Sequence, residues 1–162
     1  MKRFFCFLIF AFVTLSLCSC SESVNMGVLT EYRNGDFEAE LKLSRAGKEQ
    51  LCSLESSGGR FFLRFYDKSD FTFVMDESGA GIISGGTEIP LGIGAFPLYE
   101  LYRVFFVPVA GAWKIEKTRL GGVSVYICES EGITLYIDAS SHLPLKVVSE
   151  GLEADVLSFR TK

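Results

Sequence analysis

Few residues of this 162-residue chain have the types that do chemistry: one histidine, five cysteines and scattered carboxylates. His142 lies in Ser140-Ser141-His142-Leu143-Pro144, and a Ser-His pair invites a hydrolase reading. A triad, however, needs a nucleophile on a sharp turn and a third group orienting the imidazole. The chain has no G-x-S-x-G elbow, so the segment reads as a turn between strands ahead of Pro144. One histidine and dispersed cysteines give no zinc-ligand spacing. Asp67, Asp70, Asp76 and Glu77 are the densest carboxylates, but they flank turns, where Asp is favoured for local backbone hydrogen bonds. Gly79, Gly81, Gly85 and Gly86 precede short β segments and lack the following helix that a phosphate loop needs. We expect no enzyme, no bound metal and no cofactor.

The cysteines carry the clearest chemistry. Lys2 and Arg3 precede an apolar run from Phe4 to Leu17, shorter than the roughly 20 residues a membrane-spanning helix needs. This is the charged and apolar layout of a signal peptide. Leu17-Cys18-Ser19-Cys20 follows and resembles the bacterial lipobox, in which a small residue precedes the cysteine that is acylated. Ser19 meets that need for Cys20, whereas Cys18 would place the bulky Leu17 there. The resemblance implies cleavage after Ser19 and a Cys20 carrying two or three acyl chains such as palmitate, enough for a stable anchor. The expected location is the extracytoplasmic face of a cell membrane, or the outer membrane in an organism that has one. Cys52 and Cys128 then remain in the exported part, either as a disulfide or as two separate buried thiols.

Charge narrows the partners. The chain has 16 basic and 20 acidic residues; without Lys2 and Arg3 the balance is 14 to 20, about −6. No basic cluster is present, which argues against nucleic acid.

Residues 36–162 must position whatever remains. From Phe37 the apolar period is two: Phe37, Ala39, Leu41 and Leu43 on one side, Glu38, Glu40, Lys42 and Ser44 on the other. Short segments of this kind recur, divided by Gly-rich turns such as Gly58-Gly59, Gly85-Gly86 and Gly121-Gly122. Val24, Val28, Leu29 and Tyr32 predict a short helix ended by Asn34-Gly35. Leu98, Leu101, Tyr102 and Phe105 have helical spacing and predict a second helix resting on the sheet. The expectation is a mainly β (α+β) fold of about eleven short antiparallel strands with one or two helices. The chain divides into a signal peptide (1–19), a lipidated tether with a short helix (20–35) and one sheet domain (36–162).

The middle strands are apolar on both faces. Phe61, Leu63 and Phe65 share one side, while Phe62 and Tyr66 join Arg64 on the other. Phe71, Phe73 and Met75 lie opposite Thr72, Val74 and Asp76. A sheet solvated on one face needs only one apolar side. The excess predicts either extra cover or a groove for an acyl chain or a partner's apolar segment. Its candidate ligand-binding residues are Phe61, Leu63, Phe65, Phe71, Phe73, Met75, Leu98, Leu101, Tyr102 and Phe105.

The order of these elements resembles the LolA/LolB-type lipoprotein-carrier family, which includes the sigma-factor regulator RseB and the clostridial germination lipoprotein GerS. The likeness runs from Gly35-Asp36-Phe37-Glu38-Ala39 through Phe71–Asp76 and Gly86–Leu91. It ends at Ile137-Asp138-Ala139-Ser140-Ser141-His142-Leu143-Pro144, which is similar to the family's D-x-x-T/S-x-L-P turn. It implies a curved, incomplete antiparallel barrel with helices against its concave face. It also implies a non-catalytic protein that binds and positions or regulates an envelope partner, GerS-like, in sporulation, germination or envelope maintenance. The alternative implied function is a carrier of lipid or acyl chains. The chain's own lipobox places it with anchored members, and the absence of the longer members' extra helices implies a smaller cavity.

Overall fold

The computed structural model describes residues 24–68, 70–92, 99–106, 111–149 and 151–162. The expected signal peptide, Cys20 and Leu98 lie outside these residues. The chain opens with helix α1 (Met26–Leu29) and a 3-10 turn (Glu31–Asn34). Six strands follow: β1 (Phe37–Arg45), β2 (Lys48–Ser57), β3 (Arg60–Phe65), β4 (Thr72–Asp76), β5 (Gly79–Ser84) and β6 (Thr87–Leu91). Helix α2 (Tyr99–Phe106) leads to β7 (Lys114–Leu120), β8 (Val123–Ser130), β9 (Ile133–Asp138), β10 (Pro144–Ser149) and β11 (Leu152–Thr161).

All eleven strands form one antiparallel sheet in the order β6-β5-β4-β3-β2-β1-β11-β10-β9-β8-β7. Sequential hairpins generate everything except the β1–β11 pairing, which closes the middle of the sheet and leaves β6 and β7 as its edges. Two-residue loops set the registers. At Gly58-Gly59 and Gly121-Gly122 both central residues have positive φ, the primed turn geometry that matches strand twist. Ala46, at φ 49°, takes the same role before Gly47, at a cost of about 1–2 kcal/mol for a residue with a Cβ.

The alternating pattern of β1 is realised as read: Phe37, Ala39, Leu41 and Leu43 are all buried. They face the same core as Cys52 and Leu54 of β2, Phe61 and Leu63 of β3, and Leu135 and Ile137 of β9. Leu29, Tyr32, Leu101, Tyr102 and Phe105 enter that core from the helical segments. One core cluster reaches from Met75 on β4 to Cys128 on β8, so the sheet curls around its helices as an open half-barrel. Burying each large apolar side chain there contributes about 1.5–3 kcal/mol.

One expectation is corrected, and two further features of the fold stand beside it. The opening helix is two pieces, with Thr30 between them. The buried residues are Leu29 and Tyr32, while Val28 is exposed, because the tighter 3-10 winding aligns positions three apart. Strand β11 does not alternate evenly. Glu40 pairs with Ser158 and Leu41 with Val156, so Leu157 is bulged out and exposed and Phe159 turns inward. Of the two forms expected for Cys52 and Cys128, the structure has the second: both are buried free thiols, with no disulfide between them. Their strands are separated in the sheet by β1, β11, β10 and β9, and a bridge tolerates only about 4.4–6.8 Å between Cα atoms.

Burial pushes Cys52 up to about 12 and Cys128 up to about 11, and Cys52 Sγ donates to the Leu41 carbonyl at 3.8 Å. Reactivity belongs to the thiolate. Both thiols are expected to resist a disulfide-exchange reagent at about pH 8 in the folded chain and to react on unfolding in urea. Absorbance of the released thiol, followed through the unfolding transition, measures this.

Candidate binding surfaces

The concave face brings together most of the sequence-predicted apolar site. Phe61 and Leu63 are fully buried, Phe65 and Met75 nearly so. Their cover is the chain's own: Leu101 and Phe105 of α2 are fully buried, and Tyr102 meets Phe61 edge-on with ring centroids 6.0 Å apart. Phe65 and Phe73 make another edge-on pair at 5.8 Å. Such pairs add about 0.5–1.5 kcal/mol beyond burial. Phe71 precedes β4 and is exposed, so it does not join this cluster. Cover thins towards the β6 edge, where Phe73 and Ile82 are half-buried and Ile89 is 53% exposed.

The turn holding His142 is built around Asp138. Its Oδ1 accepts from the Ser140 and Ser141 hydroxyls and from their amides at 2.9 and 2.8 Å. The Asp138 N–H donates to the Leu143 carbonyl, and the His142 N–H to the Asp138 carbonyl. Both serine hydroxyls therefore point at the carboxylate, and His142, at φ 57°, supplies the left-handed step of the turn. This is an Asx-type turn with no nucleophile–base–orienter geometry. Beside it lies a cleft of about 310 Å³ bounded by Glu31, Tyr32, Asp36, His142 and Lys162.

Hydrogen bonds from the Ser140 hydroxyl, the Ser141 and Ser140 amides and the Ser141 hydroxyl hold the Asp138 carboxyl down to about 2. A folded-state value below the unfolded one, about 3.9, gives stability that is present above pH 4 and lost as pH falls through about 2. Urea midpoints taken from about pH 5 down to pH 1.5 are expected to fall less in Asp138→Asn than in the wild type. The two proteins should converge at the acid end.

The convex face is polar and cross-linked. Lys162 Nζ bridges Glu38 and Glu55 at 2.7 and 2.8 Å, and Lys42 bridges Glu49 and Asp155 at 3.4 Å. Lys146 pairs with Glu153 and Asp155. At the β6 end, Arg60 reaches across two strands to Glu88 at 2.8 Å. Gly81 lies beneath it, where a Cβ would come within 3.3 Å of the Glu88 side chain. Each exposed pair contributes little alone. A groove of about 590 Å³ runs over the central strands, lined by Glu38, Glu40, Glu55, Arg64, Tyr66 and Arg160; Tyr66 Oη donates to Glu40 at 3.0 Å. No sequence signal singles out this surface, because its residues have the pattern of an ordinary solvated sheet face.

Among the described residues, no three His, Cys, Asp or Glu side chains gather into a metal-holding group. No known family model matches the sequence, and no curated protein matches it. Among solved structures, that of MucB is similar over 84% of this chain and 57% of its own, at 18% identity and a TM-score of 0.52. The Pseudomonas aeruginosa MucA/MucB complex is similar over 84% and 55%, at 16% identity and 0.49. The Mycobacterium tuberculosis lipoprotein LppX is similar over 83% and 90%, at 8% identity and 0.41. The chain thus spans a little over half the length of the MucB chains it matches. At such identity the likeness to MucB is one of fold alone: an open, curled antiparallel sheet with helical segments packed against it.

Proposed function

We propose that this chain is a non-catalytic envelope lipoprotein, anchored through Cys20, that binds a protein partner at the membrane surface and positions or regulates it. The observation that carries this reading is the occupied concave face. Phe61 and Leu63 are sealed by Leu101, Tyr102 and Phe105, so the space an acyl chain needs is taken by the protein's own side chains. The commitment of Asp138 to Ser140 and Ser141 supports the absence of a catalytic set. A GerS-like role in sporulation, germination or envelope maintenance is the finer form of this proposal.

Cross-linking in intact cells, followed by capture of the tagged lipoprotein from membranes, tests it. One partner recovered in every replicate, and lost from a tagged unrelated lipoprotein, is the expected result; no reproducible partner overturns it. The half-covered Phe73, Ile82 and Ile89 favour the second reading, an acyl-chain binder. Native mass spectrometry of the detergent-free domain decides that one: co-purified lipid supports it and bare protein ends it.

A further inference from the structure

The open sheet has two edges, and they are not equivalent. In β6, the Gly85-Gly86 loop makes Ser84 and Thr87 a hydrogen-bonded pair. Alternation along an antiparallel ladder then turns the main-chain groups of Glu88 and Pro90 away from β5. Pro90 has no N–H to present, and the Glu88 side chain is tied to Arg60. That edge is blunted in the way natural sheets avoid stray pairing.

The β7 edge is open. Its Gly121-Gly122 loop makes Leu120 and Val123 the hydrogen-bonded pair, so the N–H and C=O groups of Ile115, Lys117 and Arg119 all point outward. No described strand pairs with them there. Their register partners in β8 are Cys128, Tyr126 and Ser124, which places the three side chains on the concave side. Lys117 Nζ lies 5.3 Å from the centroid of the Tyr126 ring. On the other side of the strand, Lys114 is matched by Glu129 at 3.4 Å and Glu116 at 4.0 Å. Lys117 and Arg119 form no ion pair among the described residues, in a chain of net charge −4.

We propose that β7 is the docking edge for an extended acidic segment of a protein partner, added antiparallel as a further strand. This rests on the partner-binding reading above and names the surface and chemistry of that contact. Main-chain hydrogen bonds to Ile115, Lys117 and Arg119 supply the attachment, and side chains supply the choice of partner. Antiparallel addition sets the segment's residues opposite Arg119, Lys117 and Ile115 in turn. The recognised pattern is acidic-x-acidic-x-apolar. A second copy of this chain fits worse: symmetric pairing along the full strand sets Lys117 against Lys117, and like charges directly opposed destabilise a ladder.

The test uses the full lipid-anchored chain in detergent with a synthetic peptide containing Glu-Thr-Glu-Thr-Val, and the same peptide with Lys in place of Glu. Hydrogen exchange is expected to slow over residues 114–120 with the acidic peptide alone, and less so as salt rises. Lys117→Glu with Arg119→Glu should weaken binding at least tenfold. Lys117→Pro should do the same while leaving the fold intact, since its N–H serves no internal pair. Protection elsewhere, no protection, or equal binding of the Lys peptide overturns the proposal. So does protection of 114–120 that grows with protein concentration without peptide, which assigns the edge to a second copy. If Lys117→Pro captures the same membrane partner as the wild type, the edge is wrong and the partner reading stands. If neither captures one, the partner reading falls and the peptide result still judges the edge.

Discussion

Replacing Phe37 by Ala is expected to lower folding stability by about 3–5 kcal/mol, the range for emptying a fully buried aromatic site. Phe37 opens β1, the sixth of eleven strands in sheet order, and is fully buried. Its ring stacks on Phe159 with centroids 4.7 Å apart and meets Tyr32 edge-on at 6.2 Å. Phe105 lies 6.3 Å away. One side chain therefore joins the first strand, the last strand, the 3-10 turn and α2. The neighbours come from three other elements, each fixed by its own contacts, so the space cannot close by moving one of them. Against a total stability of about 5–15 kcal/mol for a domain, the loss is a large fraction. Equilibrium urea denaturation measures it, with the midpoint falling and the slope unchanged. Phe37→Leu, which keeps most of the volume, should cost clearly less. A loss under about 1 kcal/mol for Phe37→Ala would mean that the helical segments are not seated on the sheet at this point.

The same residue shows what a sequence can reveal about this fold. Phe37, Ala39, Leu41 and Leu43 declare their face because period-two alternation is local, and paired glycines declare the hairpins because positive φ is local. The Leu157 bulge is not local. It arises where β11 meets β1, a pairing between the two ends of the sheet domain, and without it Ser158 rather than Phe159 would turn towards the core. Val74 is a similar case: its strand pattern puts it on the polar face, yet it is buried there, between Phe62 and Gly81 in register. The candidate binding residues follow the same division. That Phe61, Leu63 and Phe65 share an apolar face is written in β3; that α2 covers them is written in no single segment. Nothing within Lys114–Leu120 marks β7 as an edge, since edge status belongs to the order of strands.

Replacing Cys20 by Ala is expected to abolish acylation outright, the largest functional change that a single substitution should produce here. The Phe4–Leu17 run is too short to cross a bilayer core, so under the proposed anchoring stable residence would depend on the acyl chains. Each buried methylene contributes about 0.8 kcal/mol, and one chain alone holds only marginally. The wild-type chain should therefore begin at Cys20, incorporate labelled palmitate and show two or three acyl chains in its intact mass. Cys20→Ala should show none of these, whereas Cys18→Ala should retain all three, because Ser19 still precedes Cys20. Palmitate incorporation into Cys20→Ala, or its loss from Cys18→Ala alone, would move the anchor or remove it. The described core begins at Leu29, so the urea midpoint of Cys20→Ala should match the wild type. Binding of the acidic peptide at β7 should also be unchanged, while partner capture from membranes falls. That split would separate the two tasks proposed for this protein: Cys20 fixes where the half-barrel sits, and the open edge decides what it holds.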